Sequence, residues 1–332
     1  MAGDILQVRK LVKYFRSGGL FHSRKSPLTR AVDGIDFTVA RGESFGLVGE
    51  SGCGKTTTGR ILLGLLKPTA GEVLFSGRDI TRLRGGSKRE IYRDIQGVFQ
   101  DPLSSMNPRM TIGEIVSEPL AIQGRMQQAL GRRTQELRLR ARELLTRVGL
   151  PESVAGRYPH QCSGGQRQRA ALARALAVNP GFIVLDEPLS ALDISCQAQM
   201  INLLQDCQKA FGMGYLLISH DLRAVRYLCN RVAVMYRGKI METGAAAKVL
   251  AEPLHPYTRI LLAAVPTIGY PGLDEAAAAA AEFTGAVDVM EGANARGCRY
   301  RSRCPEATTV CAEMEPVLKG TAPGHAVACH MR

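Results

Sequence analysis

The sequence of 332 residues predicts an α/β fold around a buried, largely parallel sheet. Three observations carry the prediction. Phe182-Ile183-Val184-Leu185 and Tyr215-Leu216-Leu217-Ile218, the latter closed by Ser219, are apolar throughout, as strands covered on both faces must be. Strand-like and helix-like segments alternate along the chain. Residues 44–48 form an apolar run that enters a glycine-rich loop and then a helical pattern over 56–66, giving the order strand, loop, helix.

The elements follow in order. Residues 5–9 alternate as a short strand, 17–26 form a Gly/Ser/basic loop, and 32–39 alternate again. Arg41-Gly42-Glu43 turns the chain into 44–48. Residues 71–75 and 97–100 read as further strands. Residues 134–148 carry Leu137, Ala141, Leu144, Leu145 and Val148 on one helical face. Ser163 opens a helix that runs through Ala177 and is stopped by Asn179-Pro180-Gly181. Residues 232–236 and 239–242 form a hairpin across Arg237-Gly238. After Pro266 the character changes: 276–281 is a run of six alanines, a linker or short helix, and 297–330 is a cysteine-rich appendage. The expected division is therefore 1–268 and 269–332.

No stretch of about 18 apolar residues is present, so no membrane-spanning helix is expected. Residues 1–10 mix charge with apolar residues and lack the apolar block of a secretion signal. The expectation is a cytoplasmic chain, held elsewhere only by partners. The net charge of +13 concentrates in 78–93, 125–147 and 296–303. It fits solvated helix faces by default, or a surface facing anionic headgroups or nucleic acid. Without tryptophan and with few aromatics, a base-stacking platform is not indicated.

Gly49-Glu50-Ser51-Gly52-Cys53-Gly54-Lys55-Thr56 matches G-x-x-x-x-G-K-[ST] at every position. Glycines let backbone N–H groups approach phosphates closely, and a following helix N-terminus adds partial positive charge. Lys55 is expected to reach the β- and γ-phosphates and Thr56 to ligate Mg²⁺, with Thr57 beside it in the nucleotide site. Cys53 reads as a position set by the backbone. A chance glycine turn is the competing reading, and the flanking strand and helix weigh against it.

Strand 182–185 delivers Asp186 and Glu187 at its C-terminal end, where α/β sheets place ligands. Asp186 is placed to hold Mg²⁺, and Glu187 to polarise an attacking water as general base.

In Cys162-Ser163-Gly164-Gly165-Gln166 the chain resembles the ATP-binding cassette family, whose signature is written Leu-Ser-Gly-Gly-Gln. Cys162 departs from it at a position of apolar packing. A simple helix N-cap at Ser163 is the bland alternative. The resemblance implies a P-loop NTPase cassette: a RecA-like core, an antiparallel β subdomain, a helical signature subdomain and here a small Cys-rich C-terminal extension. It implies that Ser163, Gly164, Gly165 and Gln166 contact the γ-phosphate held by an opposite subunit. Gln100 matches the residue that touches Mg²⁺ and the attacking water. Asp193, in Ser190-Ala191-Leu192-Asp193, matches the loop that crosses the dimer interface, and His220 the switch histidine. Phe15 is the choice for stacking on adenine, with Tyr14 the near alternative.

Ala31-Val32-Asp33-Gly34, Gln100-Asp101-Pro102, Met106-Asn107-Pro108-Arg109 and His255-Pro256-Tyr257-Thr258 narrow the resemblance to the oligopeptide and dipeptide importer ATPases, most like the second, F-type, ATPase of the pair. That branch implies an ATPase powering peptide import from the cytoplasmic face of the cell membrane. Its partners would be a second cassette subunit in a heterodimer, two transmembrane permeases and, indirectly, an extracytoplasmic peptide-binding protein, with no nucleic acid. Importers of nickel chelates or sugars, an exporter ATPase, and a soluble nucleic-acid-associated cassette are the alternatives.

Four of the nine cysteines crowd the tail as Cys298-x5-Cys304-x6-Cys311-x17-Cys329. Four thiolates suit Zn²⁺ or a [4Fe–4S] cluster. The absence of a close Cys pair and the Cys304-Pro305 step favour the cluster, as does the tail of the peptide-importer ATPases; zinc and free thiols stay open.

Overall fold

The computed structural model describes residues 3–16, 28–124, 130–264 and 296–332. The loop expected at 17–26, the alanine run 276–281 and the division at 268/269 lie outside the described residues. The chain forms two compact units. The first comprises Met1–Ile5, Ala40–Glu43 and Leu83–Leu216; the second comprises Leu6–Val39, Ser44–Arg82 and Leu217–Arg332.

But for Asp4, Ile5 and Ala40, the strands β1 (Asp4–Arg16), β2 (Leu28–Ala40), β4 (Ala70–Phe75) and β5 (Arg78–Asp79) belong to the second unit and make a sheet ordered β2-β1-β4-β5. Antiparallel pairing of β1 with β4 sets Leu6 opposite Phe75 and Val8 opposite Val73, all buried. Between Arg9 and Val12 the register shifts. There Lys10 takes a φ of 44° and its N–H donates to the Asp36 carboxylate at 2.8 Å. This bulge carries the strand well past the 5–9 segment expected from alternation.

Along the chain, between β2 and β4, come β3 (Ser44–Val48), wholly buried, and α1 (Lys55–Leu62). Helix α1 stops short of the expected Leu66 because Gly64 adopts φ 64° and Leu65 N–H donates back to the Arg60 carbonyl, a left-handed helix end.

The first unit holds α2 (Gly85–Asp94), β6 (Ile95–Val98), α3 (Pro102–Ser105), α4 (Ile112–Gly124), α5 (Leu130–Arg147), α6 (Gly164–Leu176), β7 (Phe182–Asp186) and α7 (Ile194–Phe211). The chain then passes to the second unit through β8 (Gly214–Ser219). Strands β6 and β7 run parallel, with Ile95 opposite Phe182 and Val98 opposite Leu185. The Asp94 carboxylate accepts the Gly181 N–H at 2.6 Å and ties the two strand starts together. Helices α4, α5 and α6 pack on one another. As the helical period requires, Ala141, Leu144, Leu145 and Val148 of the α5 stretch are buried, and Leu137 is half-buried.

Back in the second unit come α8 (Leu222–Leu228), β9 (Arg231–Tyr236), β10 (Lys239–Ala245), α9 (Ala246–Ala251), α10 (Pro256–Ala263), α11 (Thr309–Glu313), β11 (Lys319–Ala322) and β12 (His325–Val327). Strand β3 lies parallel to β9, with Val48 opposite Val234. The β9–β10 hairpin turns at Arg237 (φ 42°) and Gly238 (φ 85°), the pair of positive φ values that a two-residue turn of matching twist demands. The cysteine-rich segment continues this sheet: β12 pairs antiparallel with β10, Glu242 opposite Val327 and Gly244 opposite His325, in the order β11-β12-β10-β9-β3. Under that junction Glu242, 0% exposed, accepts the Leu254 and His255 N–H groups at 2.9 Å and faces His325 Nε2 at 2.7 Å. Three donors around one buried carboxylate satisfy it and fasten the tail.

Candidate functional site

In the second unit, loop 49–56 leaves β3 and enters α1. Gly49 (φ 147°) and Gly54 (φ 110°) both hold conformations that side chains avoid. A Cβ would stand 2.1 Å from the Met235 carbonyl oxygen at Gly49, and 2.0 Å from the Ala31 carbonyl oxygen at Gly54. Only glycine lets the loop lie this close to its neighbours. Lys55 is 5% exposed, and its ammonium donates to the carbonyls of Gly49 (2.7 Å) and Glu50 (2.9 Å) with Cys53 Sγ at 3.6 Å. None of these contacts is a carboxylate, so an ammonium charge held in a glycine-built cradle is left for an anionic ligand, which fits a nucleotide polyphosphate. Thr56 and Thr57 follow, half-buried. Burial pushes the Cys53 thiol above its ordinary pKa despite Lys55, which disfavours the thiolate.

The two candidate rings lie at the end of β1. Phe15 is 40% exposed, with the Lys13 ammonium 5.1 Å from its centroid. Tyr14 donates its hydroxyl to Asp33 and has the Arg30 guanidinium over its ring. Phe15 is thus the ring with an open face, and Tyr14 belongs to a polar network. Burial raises the Asp33 carboxyl, but the Tyr14 hydrogen bond and the Arg299 and Lys239 charges outweigh it and hold Asp33 below its ordinary value. His220, just beyond β8, is exposed.

In the first unit, β7 brings Asp186 (6% exposed) to its C-terminal end and Glu187 directly after it. Glu187 is not glycine yet takes φ 50°. Such backbone strain, of order 1–3 kcal/mol, gathers where a side chain must be aimed. Ser190 secures the turn, its hydroxyl donating to the Glu187 carbonyl at 3.0 Å.

Ser163 caps α6 in a capping box. Its Oγ accepts the Gln166 N–H at 3.3 Å, while Gln166 Oε1 accepts the Ser163 N–H at 3.0 Å. Cys162 is buried, as apolar packing at that position requires. A Cβ on Gly164 would meet the Ala191 carbonyl oxygen at 3.7 Å, so the fold brings the signature beside the 190–193 loop. Asp193 caps α7: the Ser195 hydroxyl and the Cys196 N–H donate to its Oδ1 at 2.7 and 2.8 Å and lower its pKa to about 2. Gln100 lies two residues past the end of β6, exposed, rather than within the expected strand.

The tail supplies contacts that no local pattern announced. Arg303 donates to both carboxylate oxygens of Glu50, at 2.9 and 3.0 Å, and Arg299 pairs with Asp33 and donates to the Arg237 carbonyl. The Glu50 N–H in turn donates to Tyr257 Oη at 2.8 Å. The only hint in the sequence is the Arg-x-x-x-Arg spacing between Cys298 and Cys304.

Burial pushes the Cys298 thiol up to about 11, and negative charge on Cys311, Cys304 or Cys329 adds to the effect. Among the described residues, however, no three His, Cys, Asp or Glu side chains gather closely enough to hold a metal ion. Cys298 and Cys311 are buried and linked by a backbone hydrogen bond of 2.7 Å, whereas Cys304 and Cys329 are half-exposed. As arranged, the donor set does not fit the [4Fe–4S] cluster or Zn²⁺ expected from the spacing.

No helix among the described residues is long and apolar enough to cross a membrane. The family model for "ABC transporter" matches residues 32–190, and that for "Oligopeptide/dipeptide transporter, C-terminal region" matches 241–311. The chain is 46% identical to the oligopeptide transport ATP-binding protein AppF of Bacillus subtilis, over 98% of this chain and 97% of that one. It is 42% identical to the oligopeptide transport ATP-binding protein OppF of Salmonella typhimurium, over 98% and 95%. Among solved structures, the dimeric ATP-binding cassette MJ0796 in a post-hydrolysis state with ADP and Pi superposes with a TM-score of 0.64 at 30% identity, over 73% of this chain and 98% of that one. With its glycine-built phosphate loop, its capped Ser-Gly-Gly-Gln helix and likeness over nearly its whole length, the chain belongs to the ABC transporter family.

Proposed function

We propose that this chain is the ATP-hydrolysing subunit of a multi-subunit ABC importer of di- and oligopeptides. One observation carries the reading: a phosphate loop built on Gly49, Gly54 and a buried Lys55, in a chain whose likeness to oligopeptide transport ATP-binding proteins extends through the tail.

In this reading residues 1–268 form the nucleotide-binding part and 269–332 the extension. ATP is held by Gly49, Glu50, Ser51, Gly52, Cys53, Gly54, Lys55, Thr56 and Thr57, Glu50 lending the loop its backbone and not its carboxylate, with adenine against Phe15. Thr56, Gln100 and Asp186 would hold Mg²⁺, which would neutralise charge on the phosphate oxygens. Glu187 takes the proton of the attacking water and His220 contacts the γ-phosphate. Ser163, Gly164, Gly165 and Gln166 serve the nucleotide of a second cassette, with Asp193 at the crossing. The chain carries one phosphate loop and one signature, so two cassettes are needed. The partners are a second ATPase, two permeases and, through them, a peptide-binding protein, at the cytoplasmic face of the membrane. The output is conformational work.

Reconstitution with permeases and a binding protein tests this. ATP-dependent uptake across a panel of peptides is the expected result. Uptake of a nickel chelate or sugar without peptide would reassign the substrate, and ATPase stimulation by nucleic acid with no uptake would overturn the importer reading. The finer reading of the tail, a [4Fe–4S] cluster with Zn²⁺ as alternative, rests on cysteine spacing and family resemblance. Visible absorbance and metal analysis of anaerobically purified protein decide it.

A further inference from the structure

The phosphate loop contains an electrostatic contradiction. Its second residue, Glu50, places a carboxylate in a loop whose purpose is to hold polyanionic phosphate, where a like charge weakens binding. The fold answers this from the far end of the chain. Arg303 meets Glu50 in a two-pronged ion pair, Nη1 to Oε2 at 2.9 Å and Nη2 to Oε1 at 3.0 Å. The arginine side chain is only 19% exposed, so the pair is shielded on one side from water and salt. Planar, bidentate geometry is the strong form of this contact and also fixes the direction of the carboxylate.

Arg303 is itself held. Its guanidinium lies 5.8 Å from the centroid of Tyr300, and Tyr300 is locked among Tyr236 and Tyr257 at 5.2 and 5.3 Å. Tyr257 accepts the backbone N–H of the same Glu50, so both the backbone and the side chain of this loop position rest on one aromatic cluster. Four residues earlier, Arg299 pairs with Asp33, which also accepts the hydroxyl of Tyr14 beside Phe15.

We infer that Arg303 of the C-terminal tail is a positioning residue for ATP: it neutralises Glu50 and turns that carboxylate away from the phosphates, so that tight nucleotide binding depends on the docked tail. This rests on the reading of loop 49–56 as the ATP site. The role is carried through Glu50 and requires no contact between Arg303 and nucleotide.

The test is titration of the full chain with a fluorescent ATP analogue and Mg²⁺, beside thermal melting of each variant. Arg303→Ala is expected to weaken binding about tenfold, a typical coupling within one ionic network. Arg303→Lys keeps the charge but loses the two-pronged geometry and should weaken it about threefold. The deciding variant is Arg303→Ala combined with Glu50→Gln. Removing the stranded carboxylate should restore affinity to within about twofold of the wild type. A purely architectural role for Arg303 would instead make affinity follow the melting temperature of each variant, so affinity lost in Arg303→Ala without a matching fall in melting temperature marks the positioning role. Unchanged affinity in Arg303→Ala, or a double variant as weak as Arg303→Ala, would overturn the proposal. Should Arg303→Ala not fold, the Arg303→Lys titration decides, with wild-type affinity overturning the proposal. A wild-type chain that binds no nucleotide would instead overturn the reading of the loop itself.

Discussion

Truncation of Tyr300 tests whether the tail is fastened by the aromatic cluster. Its ring is 0% exposed, set edge-on to Tyr236 at 5.2 Å, tilted against Tyr257 at 5.3 Å and 5.8 Å from His255. Replacing a buried aromatic by alanine costs about 3–5 kcal/mol, and each ring pair accounts for about 0.5–1.5 kcal/mol of that. The loss falls on local opening of the tail, because Tyr300 joins it to β9 and α10. Native-state hydrogen exchange reads it directly. Protection of the β12 amides, and of the Cys298 N–H bonded to the Cys311 carbonyl, should fall by roughly two to three and a half powers of ten in Tyr300→Ala. Amides of β7, in the other unit, serve as the internal reference. The Tyr300 hydroxyl has no hydrogen-bond partner among the described residues, so Tyr300→Phe should leave protection unchanged or raise it by removing an unpaired buried group. Unchanged exchange in the alanine variant would refute the reasoning, as would a phenylalanine variant that loses as much.

Two further outcomes are expected. Glu187→Gln should lower ATP turnover by about 10²–10⁴-fold while nucleotide binding persists and a closed dimer accumulates; unchanged steady-state turnover removes Glu187 from the role of base. His255 is 2% exposed, and burial, outweighing the pull of Glu242 and Glu306, lowers its pKa to about 4 from 6.5. The folded ring stays neutral while the unfolded chain takes up a proton. Its contribution is therefore complete above about pH 6.5 and is lost as pH falls through about 4, at most about 3 kcal/mol. Denaturant titrations at pH 7 and 4.5 should show this slope in the wild type and a flatter one in His255→Asn, which keeps an acceptor for the Tyr257 N–H; equal slopes would refute it.

Much of the fold is legible because it is written locally. The apolar runs at β3, β7 and β8 announce a two-sided sheet, and the Arg237-Gly238 pair announces a hairpin because both residues must take positive φ. Ser163 and Gln166 stand three apart, the spacing of the reciprocal cap they form. Where local signals mislead, a specific interaction intervenes. Gly64 ends α1 early, and the bulge at Lys10 prolongs β1 past the point where alternation fades.

The candidate site divides along the same line. Gly49, Gly54, Lys55 and the carboxylates at the end of β7 are readable because a phosphate loop and a strand end are contiguous stretches in the sequence. The left-handed turn at Glu187 is not readable, since no propensity favours glutamate there. The four-cysteine spacing raises a metal centre that the described residues do not gather.

By itself the sequence determined the phosphate loop, the capped signature helix and the α/β class, all of which rest on hydrogen bonds and periodicities within a few residues. Only the tertiary structure decided that the cysteine-rich tail extends the sheet through β12, and that Arg303 reaches Glu50 across 253 positions. An ion pair over such a separation leaves no periodic trace. It depends on the register of β12 against β10, and the buried Glu242 and the Tyr300 cluster hold the tail there.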